Sequence, residues 1–362
     1  MRFLFPFIMF AFPLHFLSAR QLLPVSLALQ ALALDLRLES EPSVPYLSIA
    51  YSGLIGCERT GNTVKLTYFN SSIRAFKTAV LLSASEEASH QLFSQLFPLC
   101  QIDKSRNLAV FLNPVSGRKQ GNRLWQLLLQ PLLTIAGLSY AVYTTTGPHS
   151  LPTLLHTLDI ARVTDIVCIG GDGLVHQVLN CVRGRDVRVG VVPAGSQNAL
   201  ACALGCKSPS AACFHILKGN TVQGKVLDLT LDTGEKVLAC CGVAWGIVSS
   251  IAKQAEHMRQ FGPAVSTTKR YAVSALGLLL SHWNRYSACL QIKPSPTSPW
   301  EALSGPFTLL AATKHSCPSS LSSEILFPAG SVQDQQVCLV ALRACSRLRT
   351  LQFLGKLRVR GS

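Results

Sequence analysis

Two short loops, each directly after a run of apolar residues, hold residue types that could bind a phosphate and accept a proton. The first loop is Gly170-Gly171-Asp172-Gly173, and the second is Pro193–Ala201, which reads Pro-Ala-Gly-Ser-Gln-Asn-Ala-Leu-Ala. Glycines let backbone N–H groups approach phosphate oxygens, and a following helix N-terminus adds a positive dipole. The carboxylate of Asp172 suits either a metal partner or a general base. We therefore predict a phosphate site at these loops.

The apolar runs before the loops must position them. Asp165–Ile169 and Arg188–Val192 are rich in Ile and Val and too short for buried helices, so we predict parallel strands. Ligands of such sheets bind at the carboxyl ends of the strands, where both loops fall. The loops match neither a Walker A sequence nor a Gly-x-Gly-x-x-Gly fingerprint. The competing interpretation is two ordinary turns, with Asp172 as a helix N-cap.

Strand and helix patterns alternate around the loops. Strands are predicted at Asn107–Leu112 and Ser139–Tyr143, and helices at 120–136 and 151–160. This alternation predicts an α/β fold with a doubly wound parallel sheet over residues 105–218. After Gly219 strand-like segments dominate, among them Lys236–Trp245, so we predict a second, strand-rich domain over residues 219–362. Residues 294–304 are rich in Pro and Ser and are predicted to be a loop.

The N-terminal third carries no catalytic pattern. Residues 1–36 are nearly uncharged, and Arg2 before the apolar run Phe3–Leu17 resembles a signal peptide. A membrane-facing anchor or a mispredicted gene start are the alternatives, because the run is short for a spanning helix. Residues 37–104 are predicted to be an accessory region, with a strand at Thr63–Phe69 and a helix at Glu86–Leu96.

Composition limits the class of partner. The chain has 362 residues, 48% hydrophobic and 14% charged, with a net charge of +15. A basic excess favours anionic lipid surfaces, ATP or nucleic acid, and the lack of a basic, aromatic-rich module argues against nucleic acid. The 13 cysteines are scattered, without paired Cys-x-x-Cys ligands, which indicates reduced thiols. We predict a cytoplasmic protein that associates peripherally with membranes; its oligomeric state stays open.

Four segments together resemble the diacylglycerol kinase-like lipid kinases, and among these the sphingosine kinases most. They are Gly170–Asn180, Pro193–Ala201, Asn113–Gly117 and Ala244–Gly246, and the resemblance extends over roughly residues 105 to 345. It implies a β-sandwich as the second domain, ATP and Mg²⁺ as cofactors, and phosphorylation of the primary hydroxyl of a sphingoid base. Ceramide and diacylglycerol are the alternative acceptors.

The resemblance also implies roles for individual residues. Asp172 is the group that activates the lipid hydroxyl. The implied nucleotide contacts are Asn113, Pro114, Ser116, Gly117, Thr144, Gly170, Gly171, Gly173, Gly195 and Ser196. Arg259 matches a phosphate-binding arginine, although a surface pair with Glu256 would explain it as well. Arg270 is the second arginine if residues 265–269 are a five-residue insertion. No metal-binding residue is assigned.

Departures from the family pattern suggest a different class of protein. Gln177 stands where the family has Glu, and Gln197 replaces a glycine, which is costly if that position needs a positive φ. Ala252 replaces an aspartate of the sphingosine kinases and favours ceramide, whereas the run Asn198–Ala201 favours a sphingoid base. No Asp-Gly-Glu motif follows Leu342. The alternative is therefore a catalytically impaired pseudokinase that binds lipid surfaces.

Overall fold

The computed structural model describes residues 8–9, 14–18, 21–29, 33–38, 41–117, 119–147, 150–258, 267–280, 286–314, 331–350 and 352. No helix within these ranges is both long enough and apolar enough to cross a membrane.

An eight-stranded antiparallel sheet comes first. Its strands are β1 (Ile8–Met9), β2 (Leu14–Ser18), β3 (Gln21–Leu29), β4 (Ala33–Leu38), β5 (Glu41–Ala50), β6 (Leu54–Thr60), β7 (Thr63–Asn70) and β8 (Ala75–Ser83). They lie in the order β5-β4-β3-β2-β8-β7-β6, with β1 beside β3. The described part of residues 1–36, which we interpreted as signal-like, therefore lies in strands of this sheet. The proposed division into domains stays a prediction.

Helix α1 (Glu86–Leu96) follows the sheet with the predicted bounds. Ser85 caps it, because the Ser85 side chain accepts a hydrogen bond from the N–H of Ala88 at 3.1 Å. Leu92 and Leu96 are fully buried in one cluster with residues of β6, β7 and β8. The apolar face of α1 therefore covers one side of the antiparallel sheet.

The second sheet is parallel, as predicted. Its strands are β9 (Asn107–Leu112), β10 (Ser139–Thr144), β11 (Asp165–Gly170) and β12 (Arg188–Pro193), in the order β10-β9-β11-β12. Val110 of β9 faces one buried cluster and Phe111 the other, so both faces of the sheet are covered. This is the doubly wound arrangement that the sequence predicted.

Helices connect the parallel strands. They are α2 (Gly121–Leu124), a π-helical turn (Trp125–Leu129), α3 (Gln130–Ala136), α4 (Ser150–His156), α5 (Asp172–Cys181), α6 (Ala199–Ala203) and α7 (Pro209–Lys218). The helix predicted at 120–136 is thus observed with one π-helical turn inside it. Gly137, in the left-handed region at φ +67°, ends α3, which is the usual role of glycine after a helix.

Ion pairs to the buried carboxylate of Asp165 tie together the amino ends of β9, β11 and β12. Arg106 Nη2 lies 2.9 Å from Asp165 Oδ1, and the two side chains are 3% and 8% exposed. Arg188 Nη2 lies 2.8 Å from the other carboxylate oxygen. Arg106 also donates to the carbonyl oxygen of Leu217 at 3.0 Å, which ties the end of α7 to the sheet.

The remaining strands are antiparallel. Strands β13 (Leu227–Thr230) and β14 (Lys236–Ala239) pair with each other, and β15 (Gly242–Gly246), β16 (Tyr286–Ile292), β17 (Glu301–Thr313) and β18 (Cys338–Arg343) form a further sheet with β17 between its neighbours. Helices α8 (Ile247–His257) and α9 (Thr267–Leu280) follow β15. The fold class, parallel sheet then antiparallel sheets, is confirmed.

Two predictions in this part were wrong in detail. The strand predicted at Lys236–Trp245 is two strands, because the chain leaves β14 at Cys240 and Cys241 and enters a different sheet at Gly242. Residues 301–304, predicted to be loop, begin β17, where they pair with residues 289–292 of β16. In both cases pairing with distant strands, which local patterns do not report, decides the bounds.

Candidate functional site

A pocket of about 520 Å³ lies at the carboxyl ends of the parallel strands. One wall follows those strands, and the other comes from α8 and α9. The lining residues are Asn113, Val115, Ser116, Thr145, Gly147, Gly171, Asp172, Gly173, Leu174, Gln177, Gly195, Ser196, Gln197, Ala255, Glu256 and Arg270. Both glycine loops predicted from the sequence therefore meet in one cavity.

The two glycine loops touch each other through their backbones. The N–H of Gly195 donates to the carbonyl oxygen of Gly170 at 3.2 Å. A Cβ on Gly171 would lie 3.1 Å from the Cα of Gly195, and one on Gly195 would collide with Gly171. Gly173 differs, since no atom beyond its chain neighbours and the backbone of its own helix lies within 4 Å of where its Cβ would be. Gly171 and Gly195 thus allow close packing, whereas Gly173 faces open space.

Asp172 links the loops through its carboxylate. One carboxylate oxygen accepts the N–H of Ala199 at 2.9 Å, and the other accepts the N–H of Leu200 at 3.0 Å. These N–H groups belong to the first turn of α6. The N-cap of α5 itself is Gly171, so the interpretation of Asp172 as the cap of its own helix was wrong. Asp172 lines the pocket and also caps a neighbouring helix.

The left-handed backbone position in the second loop falls on Asn198, with φ +55°. Its Oδ1 accepts the N–H of Gly195 at 2.8 Å, and its Nδ2 donates to the Gly195 carbonyl oxygen at 3.0 Å. Asn tolerates this conformation better than most residues do. Gln197, one residue earlier, has no positive φ. The expected backbone cost of Gln197 is therefore absent.

Most of the predicted contact residues reach the pocket. Those that line it are Asn113, Ser116, Gly171, Gly173, Gly195, Ser196 and Arg270, together with Asp172. Arg270 lies on α9 and is only 8% exposed. Gly117, at φ +54°, and Gly170 hold the loops rather than line the cavity, and Pro114 also lies off the lining. Arg259 lies outside the described residues. Their roles in binding stay predictions.

The sequence predicted Thr144 as a nucleotide contact, and its neighbour Thr145 is the residue that lines the cavity. Thr144 is exposed at the end of β10, whereas Thr145 is buried and lines the pocket. The N–H of Thr145 donates to the carbonyl oxygen of Leu112 at 2.9 Å, which fixes it beside the end of β9. Glu256 and Ala255 on α8 were not predicted to line the site either. No local sequence pattern marks them, because α8, which follows a strand of a different sheet, brings them to the pocket.

Two adjacent thiols lie beneath Asp172. Cys240 Sγ and Cys241 Sγ are 3.7 Å apart, and Cys241 Sγ lies 3.9 Å from Asp172 Oδ1. The hydrogen bond with Cys240, burial and the Asp172 carboxylate raise the pKa of the Cys241 thiol. Burial also raises the pKa of Cys168 to about 12. These cysteines are free, as predicted, whereas Cys202 is disulfide-bonded, so the prediction of reduced thiols was wrong there.

Comparisons with known proteins agree with this geometry. Residues 107–229 match the diacylglycerol kinase catalytic domain. Ceramide kinase of Homo sapiens is 24% identical over 313 residues, covering 69% of this chain and 57% of that protein. Sphingosine kinase 1 of Arabidopsis thaliana is 25% identical over 315 residues, covering 75% of this chain and 64% of that protein. The chain thus spans about three fifths of the length of these relatives.

A solved structure supports the fold. A protein of Bacillus anthracis str. Sterne, provisionally named a diacylglycerol kinase, superposes with a TM-score of 0.50 at 17% identity, covering 70% of this chain and 80% of that chain. At this identity the likeness concerns the fold alone.

Proposed function

Because residues 107–229 belong to the diacylglycerol kinase catalytic domain family, we propose that the chain transfers the γ-phosphoryl group of ATP to the primary hydroxyl of a lipid, with a sphingoid base as the acceptor. The observation that carries this proposal is the joining of both glycine loops, Asp172 and Arg270 in one pocket. Phosphoryl transfer needs mainly positioning and neutralisation of charge, and these groups are of the required kinds.

The pocket suits the phosphates of ATP. Space is open beside Gly173, so the backbone there can be approached closely. Asn113, Ser116 and Ser196 offer polar side chains along the same wall. The guanidinium of Arg270, on the opposite wall, can pair with phosphate oxygens through a planar set of donors.

In the proposed reaction Asp172 is the general base. The lipid hydroxyl oxygen forms a bond to the γ-phosphorus, the bond from that phosphorus to the β–γ bridging oxygen breaks, and ADP leaves. The hydroxyl proton passes to the carboxylate of Asp172. The Asp172 oxygen that accepts the N–H of Ala199 keeps a further lone pair for this proton, whereas Oδ1 accepts both the N–H of Leu200 and the thiol of Cys241.

The pocket also has groups for Mg²⁺. Asp172 and Glu256 are the carboxylates among the described lining residues, and Gln177 adds an amide oxygen. The described residues contain no group of three or more His, Cys, Asp or Glu arranged to hold a metal. This donor set still fits Mg²⁺, because that ion commonly takes one or two carboxylates together with substrate phosphates and water. When bound, Mg²⁺ neutralises charge on the transferred phosphoryl group.

Two observations bear on the identity of the lipid acceptor. The named relatives include a ceramide kinase and a sphingosine kinase at similar identity. Ala252 on α8 is half-buried and gives no charge to recognise an amino head group, which favours ceramide or diacylglycerol. The second candidate function is a pseudokinase, favoured by the neutral side chain of Gln177 in the pocket. The net charge of +15 supports docking on an anionic membrane in either case.

Transfer of radiolabelled phosphate from ATP to sphingosine, ceramide and diacylglycerol in mixed micelles tests the proposal. We expect a labelled product with sphingosine and a loss of about a hundredfold or more in Asp172→Asn. Asp159→Asn, which alters an exposed carboxylate paired with Arg162, is the control and should keep full activity. If only ceramide or diacylglycerol gave a labelled product, that lipid would be the acceptor in place of a sphingoid base. No product from any lipid, with ATP still bound, would support the pseudokinase.

A further inference from the structure

The side-chain amide of Asn180 binds the backbone of a strand in another sheet. Asn180 lies near the end of α5, and its Oδ1 accepts the N–H of Leu238 at 2.8 Å. Its Nδ2 donates to the carbonyl oxygen of Leu238 at 2.9 Å and to that of His176 at 2.8 Å. One amide thus satisfies both backbone hydrogen-bonding groups of Leu238, as a neighbouring strand would.

Strand β14 needs such a partner at this position. It pairs with β13 on one side, where Leu238 lies opposite Asp228. In the two-stranded sheet that the described residues form here, the other edge of β14 has no neighbouring strand. Asn180 covers that edge at Leu238. If Leu238 lost these hydrogen bonds, its half-buried N–H and carbonyl groups would have to be solvated. Otherwise they would stay unpaired, at a cost in stability.

The chain after β14 runs back along α5 toward the pocket. Cys240 is buried in the same cluster as Cys168 of β11 and Val175 of α5. Cys241 Sγ then lies 3.9 Å from Asp172 Oδ1, at the other end of α5 from Asn180. Beyond Cys241, β15 leads directly into α8, which carries Glu256 on the far wall of the pocket. Helix α5 therefore contacts this segment at both of its ends.

We propose that Asn180 is a positioning residue that holds β14 against α5 and so sets the distance between the Asp172 wall and the α8 wall of the pocket. For its kinetic consequence this inference rests on the proposed kinase function. Asn180 itself does not touch the pocket. Its effect is transmitted through Leu238 and the Cys240–Cys241 turn, which place α8 opposite the glycine loops.

Two substitutions separate the contact from mere packing. Asn180→Asp keeps the acceptor for the Leu238 N–H but turns an oxygen toward two carbonyl oxygens, and Asn180→Leu removes all three hydrogen bonds at similar size. Asn62→Asp is the matched control, because Asn62 Nδ2 donates to the carbonyl oxygen of Ser83 at 3.2 Å in the N-terminal sheet, away from the pocket. All variants are compared well below their melting temperatures.

The first readout is kinetic. We expect both Asn180 variants to lower kcat about tenfold and to raise KM for ATP as well, because the displaced wall carries Glu256 and Arg270, which the proposed reaction assigns to Mg²⁺ and phosphate. Asn62→Asp should keep the kcat of the wild type. Unchanged kcat in both Asn180 variants would overturn the positioning role.

The second readout needs no activity. Maleimide labelling followed by mass spectrometry should show faster modification of Cys241 in the Asn180 variants, with Cys168 still protected as an internal reference. Equal acceleration at Cys168 and Cys241 would mean general unfolding and would overturn the inference, as would an unchanged rate at Cys241. Faster labelling of Cys241 alone, in a protein inactive on every lipid, would support the contact and count against the kinase function.

Discussion

Gly195 and Gly173 lie on the two loops of the pocket. Their surroundings differ, so a substitution at Gly195 should affect folding and one at Gly173 should affect binding. A Cβ on Gly195 would collide with the backbone of Gly171 and lie 2.7 Å from Asn198 Oδ1, whereas Gly173 has open space. We expect Gly195→Ala to destabilise the fold by about 1–3 kcal/mol, because the loop would have to move apart. Thermal unfolding measures this cost.

The same substitution at Gly173 should spare the fold. We expect Gly173→Ala to change the melting temperature little and to weaken Mg-ATP binding about tenfold or more, because the added methyl group occupies the space that a phosphate would approach. Isothermal titration measures the affinity. If Gly173→Ala bound Mg-ATP as well as the wild type, the phosphates would have to lie elsewhere in the pocket.

Gln177 and Gln197 have different consequences, although both depart from the family pattern. Gln177 lines the pocket, so Gln177→Glu adds a charge there, and we expect tighter Mg-ATP binding, by about threefold to tenfold. Gln197 has no positive φ, so Gln197→Gly should bring no gain and should cost about 0.5–1 kcal/mol of stability through added freedom of the unfolded chain.

Titration of each single variant and of the double variant separates these effects. Equal affinity in Gln177→Glu and the wild type would mean that the neutral side chain is no defect. The pseudokinase interpretation would then lose its support from this position.

At the scale of single residues, the sequence predicted which loops meet but not the contacts through which they meet. Glycine spacing after apolar runs predicted a phosphate site at both loops, and Asp172, Gly173 and Ser196 of these loops line one pocket. The contact of Asp172 with the first turn of α6 joins residues 27 and 28 positions apart, so no local pattern could report it. The choice between Thr144 and Thr145 depended on where β10 ends, and element ends are poorly specified by sequence.

Among the elements, the ion pairs of Asp165 at the amino ends of β9, β11 and β12 should contribute to stability but not to binding. Asp165 accepts from both Arg106 and Arg188 and lies at the end of β11 opposite to Gly170. We expect Asp165→Asn to destabilise the protein by about 3–5 kcal/mol, because it leaves the buried charge of Arg106 without its partner. Denaturant unfolding measures this loss.

The exposed pair Arg162–Asp159 is the matched comparison, with side chains 83% and 62% exposed. Asp159→Asn should cost at most about 1 kcal/mol. The affinity of the folded Asp165→Asn protein for Mg-ATP should equal that of the wild type. A comparable loss of stability in both variants would show that burial of the Arg106–Asp165 pair does not matter for stability. A loss of affinity for Mg-ATP in Asp165→Asn would show that this pair is coupled to the pocket.

The parallel strands were the elements predicted best, because each is a short, continuous Ile/Val-rich run buried on both faces. Strand β11 is buried along its whole length and was predicted from composition alone. The antiparallel part was predicted less well. Strands β16 and β18 alternate between half-buried and exposed residues, so their ends depend on pairing with β17 rather than on their own residues.

For the whole molecule, composition predicted less than the motifs did. A net charge of +15 is compatible with several anionic partners, and the apolar N-terminal residues resembled a signal peptide although their described part forms strands. Hydrophobic content alone does not distinguish a membrane-facing segment from the strands of a sheet, because both can be apolar runs. The assembly of the four sheets that the described residues form followed only from pairings between distant residues.

Buried thiols should make the stability of the whole protein sensitive to alkaline pH. Burial raises the pKa of Cys57 to about 12 and that of Cys100 to about 11, from an ordinary value of 9.0. Because the folded pKa lies above the unfolded one, this stabilisation is complete below pH 9 and is lost as the pH rises from about 9 toward 12. The unfolded chain releases protons in that range while the folded protein keeps them.

Denaturant unfolding between pH 8 and pH 10.5 tests this expectation. Each buried thiol should add a decline approaching about 1.4 kcal/mol per pH unit above pH 9, so Cys57→Ala should lose stability less steeply than the wild type. Cys289→Ala, which alters an exposed cysteine, should follow the wild-type slope. If Cys57→Ala and the wild type declined in parallel up to pH 10.5, the Cys57 thiol would have to ionise without unfolding. The N-terminal sheet would then open to solvent locally around β6.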